Sequence, residues 1–125
     1  MSNVIHFEIG ADDLEAAASF YSNVFDWKIE KSEDGSEYWY ITVPNEEDPE
    51  EPIEIGGLSV RFDELNATVN TINVPSLDSC ARKITEGGGK VLTPKKSIPG
   101  MGYFQDCKDR EGNVFRILEY DDLAQ

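Results

Sequence analysis

At 125 residues with a formal charge of −14, this chain is long enough to bury the core of one domain and too acidic to hold a phosphate backbone. No apolar run approaches the ~18 residues of a membrane span. The first residues lack the basic and apolar regions of a signal peptide. The expectation is therefore a cytoplasmic protein with no nucleic-acid and no membrane partner. The charge is uneven: residues 1–62 carry 15 acids against Lys28, Lys31 and Arg61, and the rest carries 10 acids against 8 bases. Such an imbalance reads first as a solvated surface.

In chain order, Val4–Ile9 predicts a strand and Gly10-Ala11-Asp12 a turn. Asp12 with Glu15 has the spacing of a capping box, so a helix is expected from there to about Asn23. Phe25–Glu30 alternates apolar and polar residues, as a half-buried strand does. Asp34-Gly35 signals a hairpin into a third strand, Glu37–Val43. Three prolines and five acids over Pro44–Pro52 predict a solvated loop; its acids lack the spacing and central glycine of an EF-hand. Glu54–Phe62 predicts a fourth strand, bent at Gly56-Gly57.

The second copy of the unit starts near Ala67 with a fifth strand, and Ser76 is the natural N-cap of a second helix. Gly87-Gly88-Gly89 is expected to end that helix in the left-handed conformation. These glycines follow a helix rather than precede one, so they do not form a phosphate loop. A short strand at Val91-Leu92, a loop over Pro94–Gly102, and a hairpin of Gly102–Cys107 with Asn113–Tyr120 complete the chain. Cys80 and Cys107 have no CxxC neighbour and read as small buried hydrophobes.

The order of elements repeats. Leu14, Ala17, Ala18 and Tyr21 match Leu77, Cys80, Ala81 and Ile84 at a constant offset of 63. A duplicated unit in a short chain predicts two half-domains that share one interior. The counterpart of His6 is Val69 if the register follows the helices and Thr71 if it follows the strand ends. Both alternatives put the counterpart on one strand face, because side chains repeat every two residues.

With these pieces on the page, HFEI and DDLEAAASFYSNVFDW within residues 6–27, GGGKVLTPKKSIPGMGYFQDCKDREGN at 87–113 and the closing VFRILEY, the chain resembles the vicinal oxygen chelate superfamily. That superfamily includes glyoxalase I, bleomycin-resistance proteins and extradiol dioxygenases. The resemblance covers nearly the whole sequence; Arg110 stands where the family usually has proline. It implies an α+β fold: a single domain of two βαβββ modules, 1–62 and 66–125, forming a curled mixed eight-stranded sheet around a cleft, commonly in a homodimer. Function does not follow from fold alone.

By that resemblance His6 matches a metal-ligand position on the first strand. Val69 and Arg116 occupy two further ligand positions, and neither can bind a metal. The fourth position falls near Gly56–Leu58, with Glu54 the nearest acid. The expectation is a degraded metal site with no cofactor. The alternative is a divalent Zn, Ni, Fe or Mn held by His6 and Glu54, with Glu8 and Glu119 as further candidates. His6 and Glu8 share a strand face, and Arg116 lies on the closing strand. A Glu8–Arg116 ion pair is read either as a structural tie or as an anchor for a carboxylate or amide ligand. Tyr40 and Tyr103 are read as core residues or as platforms for a flat ligand. His6, Glu8, Tyr40, Tyr103 and Arg116 are thus the candidate ligand-binding residues, and no catalytic residue is assigned.

Three functions compete. The first is a glyoxalase- or bleomycin-resistance-type protein that binds a small apolar or aromatic molecule. The second is a metal-dependent lyase, isomerase or dioxygenase, in which a metal polarises vicinal oxygens. The third is a non-catalytic dimeric interaction module whose acidic first half meets a basic partner.

Overall fold

The computed structural model describes residues 2–60 and 68–125. The elements are β1 (Asn3–Ala11), α1 (Leu14–Phe25), β2 (Lys28–Lys31), β3 (Tyr38–Val43), β4 (Ile53–Val60), β5 (Val69–Asn73), α2 (Leu77–Glu86), β6 (Lys90–Val91), β7 (Lys96–Ile98), β8 (Gly102–Lys108) and β9 (Val114–Tyr120). The fold is α+β with mixed strand pairing. The expected end of the fourth strand at Arg61-Phe62 and the expected start of the second copy at Ala67 lie outside the described residues. No helix among the described residues is long and apolar enough to cross a membrane.

The chain forms two compact units, His6–Thr68 and Val69–Gln125 together with residues 1–5. In the first, the strand order is β2-β3-β4-β1: β3 is antiparallel to β2 and β4, and β1 is parallel to β4. In the second, β6-β8-β9-β5 repeats that order with the same directions. The duplication read from helix spacing is therefore a duplication of topology. The second unit also has β7, which pairs with β8 at Gly102–Phe104. That segment was expected to be loop. Pairing with β8 gives its backbone the partners a loop would seek from water.

Each unit buries its own core on the helix side of its strands. Ala18, Ile41 and Leu58 centre the first, with Phe7, Ile9, Leu14, Tyr21, Trp39 and Ile55 packed around them. Val74, Leu77, Cys107 and Ile117 centre the second, with Ile72, Cys80 and Ile84 against them. Leu14, Ala17, Ala18 and Tyr21 fall at i, i+3, i+4 and i+7, so one stripe of α1 meets the core. Both cysteines are free, and burial pushes the Cys107 thiol up to about 11, so it behaves as a hydrophobe.

Local chemistry moves several boundaries. The cap of α1 is Asp13, not Asp12: Asp13 has extended backbone, and its carboxylate accepts from the Ala16 N–H at 3.1 Å. The helix then runs through Phe25 and stops where Asp26 turns left-handed at φ 57°. Phe25 and Asp26 thus end a helix instead of beginning β2. Ser76 caps α2 as expected, with its hydroxyl accepting from the Ser79 N–H at 3.2 Å. A second free N–H there, that of Leu77, donates to Glu119 Oε1 at 2.7 Å. Beyond α2 the left-handed glycine is Gly88, at φ +94°, while Gly87 stays right-handed.

Candidate functional site

In the first unit, the strand face opposite the core carries the chemistry. Phe7 and Ile9 turn toward α1 and the core, which leaves His6 and Glu8 on the other face. On β3, Trp39 and Ile41 are core residues, so Tyr38, Tyr40 and Thr42 share the face of His6. Asp34, at the β2–β3 turn, is held by the Ser32 hydroxyl and by the Ser36 N–H at 2.9 Å. These bonds lower its carboxyl to about 2, the Ser32 hydroxyl contributing most. The turn contacts they represent are present above the ordinary carboxylate range and are lost as pH falls toward 2.

A bulge decides what β4 adds. Tyr40 opposes Gly57 and Ile41 opposes Gly56, but Thr42 opposes Glu54, so Ile55 is the extra residue. The extra residue lets Ile55 pack with the core while Glu54 turns to the His6 face. In an unbroken ladder Glu54 would share the face of Gly56 and point at the core. The bulge therefore delivers a carboxylate to the site.

The result is a three-residue cluster. His6 Nε2 lies 2.8 Å from Tyr38 Oη and 3.3 Å from Glu54 Oε2. The His6 and Tyr38 rings lie edge to edge across that contact, within 18° of parallel and with centroids 6.3 Å apart. Tyr40 meets Tyr38 edge-on at 5.0 Å. The His6 side chain is 19 % exposed and that of Glu54 44 %. Gly57 makes room for this arrangement, because a side chain there would occupy the space of the Tyr38 ring. Beside the cluster lies an open groove of about 460 Å³, lined by Glu54, Tyr40, Thr42, Glu30 and the β2–β3 turn.

The sequence offers His6 and Tyr40 as ligand-binding candidates and Glu54 as an alternative metal ligand, but not how these residues meet. Tyr38 was missed as a partner of His6. Its signal was the period-two alternation of Tyr38-Trp39-Tyr40, which puts both tyrosines on one face. Glu8 lies on the same face, opposite Gly57.

The other candidates belong to the second unit. Arg116 is gripped by Asp106, with Nε to Oδ1 at 2.7 Å and Nη2 to Oδ2 at 3.3 Å, and its guanidinium lies 4.3 Å over the Phe104 ring. Register explains the pairing, since Asp106 and Arg116 are directly opposed on β8 and β9. Neither Asp106 nor Phe104 was anticipated. Tyr103 packs against the core of its unit, and the Lys95 ammonium lies 5.1 Å from its ring centroid. Val69 and Thr71 lie on the strand face opposite the core residue Ile72. Glu119 is committed to the N-terminus of α2.

A metal centre is a demanding test of these residues. A catalytic divalent ion uses about three protein donors with an open position. Among the described residues no three of His, Cys, Asp and Glu gather to hold an ion. His6 and Glu54 make two donors, and both the Tyr38 hydroxyl and Glu54 crowd the same histidine nitrogen.

Comparison with known proteins agrees with this architecture. Residues 3–117 match the Glyoxalase/Bleomycin resistance protein/Dioxygenase superfamily. The chain is 33% identical over 117 residues to a glyoxylase-like domain-containing protein of Didymella fabae, with 88% of each chain covered. Among solved structures it is similar to a methylmalonyl-CoA epimerase in complex with methylmalonyl-CoA and NH4+, with TM-score 0.65 and 16% identity over 100% of this chain and 99% of that one. It is also similar to a glyoxalase/bleomycin resistance protein/dioxygenase superfamily member from Vibrio splendidus 12B01, with TM-score 0.67 and 14% identity over 95% and 99% of the two chains. The duplicated βαβββ topology and the match over residues 3–117 together make this chain a member of the glyoxalase/bleomycin resistance protein/dioxygenase superfamily.

Proposed function

We propose that this chain binds a small oxygen-bearing organic molecule on the exposed strand face of its first unit, with His6 as the polar contact and Tyr40 as the flat one. One observation carries the reading: the chain's single histidine is half-buried and held by Tyr38 and Glu54, and Glu54 in turn lines an open groove with Tyr40. Bulges are over-represented beside active sites, where they re-aim a side chain, as this one does for Glu54. Titration of isotope-labelled protein with catechol and with anisole checks this. Saturable amide shifts centred on Tyr38, Tyr40 and Glu54 are expected with at least one of them. Shifts that never saturate, or that fall elsewhere, reject the site.

A second reading, an isomerase, is favoured by the His6–Glu54 pair itself. A histidine backed by a carboxylate is the usual arrangement of a general base. The similar epimerase was solved with methylmalonyl-CoA, so that thioester in deuterated water is the informative probe. Binding without chemistry leaves its α-proton signal in place. Wash-out that disappears in His6→Ala replaces the binding reading with proton transfer.

The donor count makes a further prediction. Calorimetric titration with Zn2+ is expected to show no stoichiometric step. A stoichiometric step abolished by either His6→Ala or Glu54→Ala restores the metal alternative.

A further inference from the structure

Two groups press on one nitrogen of His6, and their chemistry differs. Tyr38 Oη can donate or accept a hydrogen bond, whereas a carboxylate such as Glu54 only accepts. If Nε2 held a lone pair, Tyr38 could donate to it, but the Glu54 oxygen 3.3 Å away would face that lone pair with its own. If Nε2 holds the proton, Tyr38 accepts it and the Glu54 carboxylate, 3.3 Å away, faces an N–H instead of a lone pair. Only the second arrangement is favourable to both neighbours. Among the described residues no hydrogen bond reaches Nδ1. The ring is therefore saturated at one nitrogen and open at the other.

We propose that Glu54 is a positioning residue that fixes His6 as the Nε2–H tautomer, making Nδ1 the proton-accepting atom of the site and selecting ligands that present an O–H donor, such as a phenol, an enol or a hydroxy acid. The bulge at Ile55 is part of this device, since it turns Glu54 to the His6 face. Tyr38 then accepts from Nε2, its ring within 18° of parallel to the imidazole. The ligand half of this inference rests on the binding reading above. The tautomer half does not, because it is read with no ligand present.

The single histidine makes the test direct. A long-range 1H–15N spectrum of the neutral ring reports which nitrogen carries the proton. Wild type is expected to show a pyrrole-like Nε2 and a pyridine-like Nδ1. Glu54→Gln, which can donate as well as accept, is expected to give a mixture of tautomers, while Glu54→Asp retains part of the bias. A pyridine-like Nε2 in wild type, or no change in Glu54→Gln, overturns the role of Glu54. With the tautomer established, phenol is expected to shift Nδ1 saturably and anisole, which lacks the donor, to leave it unmoved. Equal shifts with both, or with neither, overturn the ligand class while the tautomer stands.

Discussion

Gly57→Val is expected to disconnect Tyr38 from His6 in a chain that still folds. By strand propensity alone the substitution is favourable, since valine suits a pleated surface better than glycine does. Here the added carbon would land among the outer atoms of the Tyr38 ring, nearest Cζ and Oη. Those atoms are the far end of a side chain and can swing away, so the backbone need not move. The expected stability cost is about 1–3 kcal/mol, the usual range for overpacking. The larger effect is local: the 2.8 Å contact of Tyr38 Oη with His6 Nε2 is lost, and so is the near-parallel, edge-to-edge placement of the two rings. The 1H–13C signals of the His6 ring report it. Gly57→Val should give His6 ring shifts close to those of Tyr38→Ala, and both should differ from wild type. Wild-type shifts in Gly57→Val would show that Tyr38 does not need the space over Gly57.

Gly102→Ala is expected to act in the opposite way, by costing stability without touching His6. A side-chain carbon at Gly102 would overlap the backbone carbonyl oxygen of Glu119, with Glu119 C at 3.0 Å and Asp121 N at 3.1 Å. No rotamer relieves that clash, because the obstacle is the β9 backbone itself. Gly102 opposes Tyr120 on β9 and Ile98 on β7, so the ladders on both sides of β8 must shift together. The bonds of the chain's end, Asp121 N–H to Met101 O at 2.7 Å and Gly100 N–H to Ala124 O at 2.9 Å, are strained by the same movement. The expected loss is about 3 kcal/mol, at the upper end for added volume in a packed place. It is read as a fall in the urea midpoint at constant slope. A change of less than about 0.5 kcal/mol, the size of an ordinary surface substitution, would mean that β8 and β9 separate at little cost.

These two glycines show what sequence conveys and what it withholds. The helices were legible because their apolar stripes recur locally: Leu14, Ala17, Ala18 and Tyr21, then Leu77, Cys80, Ala81 and Ile84. The strand order of both units followed from the repeat and from the family resemblance. Helix ends were less legible, because Asp12 and Asp13 are equally good caps on paper, and only the extended backbone of Asp13 decides between them. The β7 strand was read as loop because its three residues become a strand only by meeting β8.

The site was legible in composition and illegible in contact. His6, Tyr40 and Glu54 could be chosen by residue type. That Glu54 meets His6 depends on one skipped residue in the β3–β4 register, and no local pattern in Glu54–Phe62 announces it. The grip of Asp106 on Arg116 is likewise a matter of cross-strand register, fixed by the β8–β9 pairing. Sequence periodicity assigns faces, whereas the meeting of two faces is set by pairing over long separations.

Ile55 has a consequence for how this strand can change. Most strands become better strands when an irregularity is removed, since every backbone group then finds a ladder partner. Here a slip that paired Ile55 with Thr42 would move Glu54 opposite Val43 and send its carboxylate toward Ile41 and Leu58, which are fully buried. A charge arriving there without a partner is among the costliest changes a core can suffer. The flaw in the ladder is thus protected twice, once by the chemistry it places outside and once by the apolar interior that refuses the alternative.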